Sequence, residues 1–402
     1  MKTHVILLNS MLLIAATVFA STDFEIEDGV LIRYLGTEKN VVIPDGVTVI
    51  RGGAFSTLAG LESVVIPESV TDIGDGAFAM CLDLTTVVMP ASLKTIGSSA
   101  FAFCLNLESI EIPDGVKTIG SMAFNDCTKL TSISLPSGIN LGGYGTFMNC
   151  RNLETIVIPD LISDLGMHVF YNTKWEETQP DGAIYCGNFL YKYKGEMPEN
   201  TSFEIKAGVT KIVEMAFWGC NGLTSVTIPN TVVTIGEYAF AFCENLASVT
   251  IPSSVSYFES KCFMKCTALK EILLKRYYPT FMTVAEDAFY GVNKKACNLI
   301  VPEGASARFK SIYTWREFNF VEKSDLMDIQ EVKISSLNAY PNPTSGMVHI
   351  QTDSDSAPQV KLFDLHGRLL LERRENEIDL SGLQNGNYLM QVNNEIIKIQ
   401  KK

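Results

Sequence analysis

The chain is short of histidine, of positive charge and of long apolar runs, and each shortage removes a class of function. Four histidines occur among 402 residues: His4, His168, His349 and His366. His168 stands at a variable position of a coil and His349 and His366 lie in the last seventy residues, so a nucleophilic triad is not expected. Gly-rich phosphate loops and dinucleotide fingerprints are missing too. No C-x-x-C pair occurs, and Cys262-x-x-x-Cys266 has no histidine companions, so a zinc site is not expected. Asp160 with Asp164, and Asp353 with Asp355, are too sparse for the about six to eight oxygens that calcium takes. Asp and Glu fall at variable positions, as solvated charges do, rather than as the paired carboxylates of a glycosidase. We therefore expect no enzyme, no cofactor and no metal. Lys and Arg number 32 against 45 Asp and Glu, giving a net charge of -13. Such a chain has no general attraction for phosphate backbones, which excludes nucleic acid as a partner.

The one long apolar run is at the start. Residues 1–20 carry Lys2, then Val5 to Phe19, with Val18 and Ala20 where a signal peptidase reads small residues. Asn9 and Ser10 interrupt the run, which falls short of the ~20 residues of a spanning helix. This reads as a secretory signal peptide, leaving no transmembrane anchor in the mature chain.

What is present is a repeat. Pro44, Pro67, Pro90, Pro113, Pro136 and Pro159 are 23 residues apart, as are Phe55, Phe78, Phe101, Phe124, Phe147 and Phe170. The step resumes at Phe217, Phe240 and Phe263, and at Pro229 and Pro252. Cys81, Cys104, Cys127, Cys150, Cys220, Cys243 and Cys266 form a column, with a leucine three residues after each. The stretch L-x-x-I-x-I is a short strand whose branched residues turn inward. Proline ends it, since it cannot donate the next ladder bond. The V-x-x-I-G part returns along the back, where Gly permits a tight turn. Ala-Phe plugs the hollow, and Cys acts as a small buried apolar residue. One unit cannot bury its own apolar side, but a stack can. Eleven coils are counted, two of them ending in Lys206 and Lys275 instead of Pro. At ~4.8 Å per strand they make a rod roughly 50 Å long.

The fold class is thus a leucine-rich-repeat solenoid with 23-residue coils and a parallel sheet on one face, followed by a small C-terminal β-sandwich. The repeat, as in Leu107-Glu-Ser-Ile-Glu-Ile-Pro113 to Ala123-Phe124, resembles the BspA-like leucine-rich repeat surface proteins over Val41 to Val321. Departures are Leu58, where the first Cys is lacking, and Gly142-Gly143, which replace an Ile-Gly pair. The resemblance implies adhesion to extracellular matrix proteins or to other cells.

Two hairpins punctuate the rod. Phe24 to Tyr34, with Asp28-Gly29 at its turn, would cap the N-terminal end. Tyr171 to Lys206 holds a second version, since Leu31-Ile-Arg-Tyr34 matches Leu190-Tyr-Lys-Tyr193. Trp175, Tyr185, Tyr191 and Tyr193 concentrate there, either packed on a coil edge or projecting as an aromatic patch for a partner or a sugar ring.

From about Asp325 the period stops, and short alternating strands with turn residues follow. Tyr340-Pro341-Asn342-Pro343, Gly367 closing Lys361 to Gly367, Gly386 with Tyr388, and the Lys-rich end resemble the C-terminal sorting domain of the type IX secretion system of Bacteroidetes. That resemblance implies the secretion machinery as a partner. It also implies a secreted or outer-membrane-surface location in a Gram-negative bacterium of this kind. The domains are 1–20 signal peptide, 21–43 capping hairpin and first strand, 44–170 first repeat block, 171–206 inserted hairpin, 207–324 second block with C-terminal cap, 325–336 linker and 337–402 sorting domain.

The remaining candidates lie on the strands. Val65, Val88, Glu111, Ser134, Val157, Thr227, Thr250 and Leu273 occupy the outward position of successive strands. Ser63, Thr86, Ser109, Ser132, Thr155, Ser225 and Ser248 form a hydroxyl column beside them, read either as satisfying nearby backbone or as a flat polar face. An open parallel face suits an extracellular protein or glycan ligand. The leading reading is an adhesin-like binding protein. A glycan-capture component using the aromatic hairpin, and a ligand-free spacer, are the alternatives.

Overall fold

The computed structural model describes residues 23–402 apart from 278, 280–281, 325, 327–337, 341–343, 352–356, 364–368 and 393–394. The signal peptide, all but one residue of the linker, and Pro341, Asn342, Pro343 and Gly367 lie outside the described residues. The chain forms two compact units that divide between Ser324 and Asp325.

In the first unit the 23-residue step becomes strand register. Ser63 pairs with Thr86, and Val65 with Val88, in parallel. Ser132–Ser134 pairs with Thr155–Val157 in the same way. Their inward residues, Val64, Val87 and Ile133 among them, are buried. After the hairpin the front sheet runs through Thr201–Glu204, Leu223–Thr227, Ser248–Ile251, Glu271–Leu274 and Asn298–Pro302. It ends on Asn319–Lys323, a strand beyond the eleven counted from the strand ends.

The return path is also a sheet, so the solenoid has two parallel faces rather than one. Two-residue strands Val49–Ile50, Asp72–Ile73, Thr95–Ile96, Thr118–Ile119, Asn140–Leu141 and Asp164–Leu165 stack in register. The Gly of the repeat serves this ladder by its size rather than by a left-handed turn. A Cβ on Gly120 would lie 2.5 Å from the Ser98 nitrogen of the coil before. The left-handed positions come two residues later, as at Met122 with φ 55°. Where Gly142-Gly143 departs from the pattern, Asn140 pairs with Thr118 on one side and Asp164 on the other. The coil thus reaches its return strand one residue early, and the extra glycine takes up the difference.

Between the sheets the phenylalanines form a ladder. From Phe55 to Phe147, successive ring centroids are 4.8–5.3 Å apart and the planes within 14° of parallel. Tyr34 of the first hairpin stacks on Phe55 at 5.2 Å, so the cap starts the ladder as well as covering the end. A second ladder runs from Phe217 through Phe240 and Phe263 to Phe289. Tyr193 of the inserted hairpin stacks on Phe217 at 6.1 Å and opens it. Both hairpins also join the return sheet alike: an antiparallel pair, then a parallel partner in the next coil. Trp315, fully buried against Phe289 and Phe309, closes the far end.

The front ladder breaks at the insertion. Thr155–Val157 pairs only backward and Thr201–Glu204 only forward. A one-turn helix, α1 (Lys174–Thr178), stands in the interval, with the Trp175 amide donating to the Leu153 carbonyl at 2.7 Å. Thr173 caps it through the Glu176 amide, and the Glu176 carboxylate accepts from the Asn172 amide and pairs with Lys192 of the hairpin.

The second unit has two antiparallel sheets. One contains Asn338–Tyr340, Met347–Gln351 and Glu377–Asp379; the other contains Leu369–Arg374, Gln359–Phe363, Gly386–Val392 and Glu395–Lys401. Val348, Ile350 and Ile378 of the first and Val360, Leu362 and Met390 of the second share one core, as a sandwich requires.

Candidate functional site

The structure aligns the outward column across the front face. Val65 neighbours Val88, Ser134 neighbours Val157, and Thr227, Thr250 and Leu273 follow one another in register. Val88 is 36% exposed and Val157 56%. Glu111, Ser134 and Thr227 are exposed, while Val65, Thr250 and Leu273 are half-buried. Around Glu111 the ladder thins to a single bridge between Thr86 and Ser109.

The hydroxyl column beside it behaves differently from a backbone cap. Ser63 donates to the Asn40 side chain at 2.6 Å, and Ser225 to the Ser202 hydroxyl at 2.7 Å. Backbone satisfaction falls instead to the residue before: Thr85 donates to the Glu62 carbonyl and Thr224 to the Thr201 carbonyl. At Ser63 and Ser225 the hydroxyls of the front face therefore bond side chains of the coil before, with branched apolar residues beside them.

The aromatic hairpin is not a projecting patch, which corrects that expectation. Tyr191 is 4% exposed, and its hydroxyl accepts from the Phe170 amide at 3.1 Å. Trp175 packs edge-on against Phe170 at 5.1 Å. Tyr193 is spent on the second ladder. Tyr185 is half-buried, with its hydroxyl at the Lys206 amide. The physical reason is that the insertion exposes the ends of two cores at once, and its rings are what cover them.

The ten cysteines are free and buried. Six of the seven column thiols donate to the carbonyl of the phenylalanine one coil back: Cys81 to Phe55, Cys104 to Phe78, Cys127 to Phe101, Cys150 to Phe124, Cys243 to Phe217 and Cys266 to Phe240, at 3.0–3.2 Å. Cysteine is thus a small apolar plug that also adds a second hydrogen bond to a buried carbonyl already accepting from a backbone amide, as Phe78 does from Cys81. Burial pushes the Cys81 and Cys220 thiols up to about 11 and Cys266 to about 12. Thiolate is the reactive form. A native-state assay with an aromatic disulfide reagent at pH 8 should therefore register almost no thiols, and ten in denaturant. Fewer than ten after denaturation would reveal a disulfide.

His168 lies between the rings of Tyr144 and Tyr171 at 5.6 and 4.9 Å, and burial and the Lys192 ammonium lower its pKa. Its immediate ring neighbours are thus aromatic. An unforeseen cluster joins the two repeat blocks on the return side. The Lys211 ammonium meets the carboxylates of Asp164 at 3.1 Å and Glu214 at 3.0 Å. Glu259 accepts from the Glu237 amide nearby at 2.9 Å, and burial, then Glu214, raises its pKa. Asp164 opens a return strand, and Glu259 stands at the Gly letter of a later coil; the stacking register brings them together.

In the second unit Tyr388 is buried and donates to the Gln384 carbonyl at 2.7 Å, closing the turn before its strand, where Gly386 is exposed. Tyr340 lies in the strand Asn338–Tyr340, opposite His349.

Sequence families agree with this architecture. The BspA type leucine rich repeat region matches residues 48–177 and 190–307, in six copies. The secretion system C-terminal sorting domain matches residues 338–402. The chain belongs to the BspA-type leucine-rich repeat family and carries a type IX sorting domain, which directs a protein of Bacteroidetes to the cell surface or beyond it. No curated protein matches the chain. Among solved structures, a leucine rich cell surface protein from Faecalibacterium prausnitzii is 27% identical, covering 73% of this chain and 89% of its own, with a TM-score of 0.36. The pneumococcal vaccine antigen PcpA is 22% identical (71% and 89% covered, TM-score 0.35), and a leucine-rich repeat protein from Bacteroides ovatus is 23% identical (73% and 94% covered, TM-score 0.29).

Proposed function

We propose that the protein is a non-enzymatic, adhesin-like binding module that engages extracellular matrix proteins or other cells through its front sheet. The observation that carries this reading is the outward column itself. Val88 and Val157 turn branched apolar side chains to water on a face that also carries hydroxyls and Glu111. Repetition at the strand spacing supplies many weak contacts on one rigid surface, which favours a large extended ligand. Family membership supports a binding role at the cell surface. The glycan reading that used the aromatic hairpin has less support, since Tyr191 is buried and Tyr193 stacks on Phe217.

Surface plasmon resonance against a panel of immobilised matrix proteins tests the proposal. Binding should weaken at least about tenfold in a Val88→Glu/Val157→Glu variant, because a charge at a contact centre is costly to bury. Silence toward every matrix protein and toward whole cells leaves only a spacer. Binding that ignores both substitutions places the contact elsewhere.

A further inference from the structure

A cleft lies near the end of the second block, beside the segments that lead into the last two front strands. It is bounded by the loop Glu286–Lys295 on one side and by Tyr313 and Glu317 of the closing segment on the other. Two tyrosines line it, Tyr290 at 59% exposure and Tyr313 at 56%, and neither belongs to a core cluster. Tyr313 is stacked by the Arg316 guanidinium at 4.3 Å, which holds the ring in place before any ligand arrives. Asn293, Glu286 and Glu317 bring amide and carboxylate groups to the same cleft. The Lys294 ammonium lies 3.7 Å from the Glu317 carboxylate, so its charge is balanced within the wall.

We propose that this cleft binds a neutral oligosaccharide. The chemistry of the walls selects that class. A pyranose ring offers an apolar face of C–H groups and a rim of hydroxyls. Exposed tyrosines match the face, since they present large rigid area at low entropic cost. Amide and carboxylate side chains match the rim, accepting from hydroxyls and donating to them. The cleft holds no excess of cations for an acidic glycan: three carboxylates (Glu286, Asp287, Glu317) line it against two lysines (Lys294, Lys295), and Lys294 and Glu317 balance each other. A globular protein ligand is disfavoured because a concave site between loops admits a chain rather than a face. The site is independent of the front-sheet reading, so the protein would hold a sugar chain at one edge and a macromolecule on its sheet.

The test is isothermal titration of the purified protein with gluco-, galacto-, manno- and xylo-oligosaccharides of about four to six units, with hyaluronan fragments as the acidic control. At least one neutral series should bind saturably in the micromolar to millimolar range. Tyr290→Ala and Tyr313→Ala should each weaken it at least about tenfold, and Tyr290→Phe and Tyr313→Phe should keep most of it, because the ring and not the hydroxyl is the platform. Both residues are exposed, so thermal melting should be unchanged in all four variants, and matrix-protein binding should be unchanged too. The proposal falls if no neutral series binds at 10 mM, if hyaluronan binds best, or if binding survives both alanine variants. A loss of matrix binding on Val88→Glu/Val157→Glu with sugar binding intact separates the two sites.

Discussion

Phe124→Ala should cost about 3–5 kcal/mol, the range for emptying a large aromatic site in a rigid core. Phe124 is fully buried and stacks on Phe101 and on Phe147, both at 5.3 Å. Its loss therefore opens two stacking contacts and a cavity lined by neighbouring coils that hydrogen bonds hold at fixed spacing. The lining cannot collapse without breaking bonds such as the Phe124 amide to the Thr146 carbonyl. Stability in a stacked array is close to a sum of unit and nearest-neighbour terms. A mid-ladder cavity should then also split the urea transition, with coils on either side unfolding at different midpoints. Phe124→Leu, which keeps most of the volume, should cost less than half as much. A single sharp transition with a shift under 1 kcal/mol would mean that the ladder is not the backbone of the core.

Lys211→Met should destabilise the protein by about 2–3 kcal/mol, less than the ~3–5 kcal/mol for breaking a fully buried pair, since Asp164 keeps 42% of its side chain in water. Burial alone would lower the lysine's pKa, but the Glu214 and Asp164 carboxylates outweigh it and the pKa is raised. A folded pKa above the unfolded one gives stability that is fully present below the unfolded value and lost as pH climbs through the folded value. The deficit of the variant should thus hold from neutrality to about pH 10 and shrink only above it. Glu259 works in the opposite sense. Burial, reinforced by Glu214, raises its pKa, so the folded state holds its proton longer and stability falls as pH rises through that window. Glu259→Gln should melt higher than the parent at pH 7, and the advantage should vanish below about pH 4. Gln keeps an oxygen to accept from the Glu237 amide, which isolates charge from hydrogen bonding. An advantage that persists at low pH would count against the charge argument.

The elements legible in the sequence are those fixed by residues within one coil. Pro, Phe, Cys and Leu recur at a fixed step, so the front strands, the buried faces and the stack could be read directly. The return sheet was not, because strands of two residues such as Thr118–Ile119 leave no alternation to detect. The twelfth front strand, Asn319–Lys323, follows a longer coil without the proline marker. Gly120 reads in sequence as a turn residue, because φ and space are indistinguishable without the coil before it. Among site residues, the outward column followed from period two, but the aromatic hairpin did not. A signal existed: the match of Leu31–Tyr34 to Leu190–Tyr193 sets Tyr193 about one coil ahead of Phe217, in the ladder. The Lys211 cluster was hidden for another reason: Asp164 and Lys211 share the first letter of the return strand, but the inserted hairpin separates them in sequence, and Glu259 stands at the Gly letter of a later coil.

The thiol-to-carbonyl bonds have a bearing on how this chain can change length. Each coil takes one set of donors from its neighbour and hands an identical set onward, so a whole coil inserted or removed leaves every partner matched. A lesion of any other size throws the Cys, Phe, Gly, Leu and Pro columns out of phase together. Gly142 shows how narrow the exception is, since one surplus residue is tolerated only where it has no side chain to meet Asp164 of the next coil, whose carboxylate would lie 2.3 Å from a Cβ. Related chains should therefore differ by multiples of 23 residues within a block, and by arbitrary lengths only at the hairpin and at the long coil after Leu274.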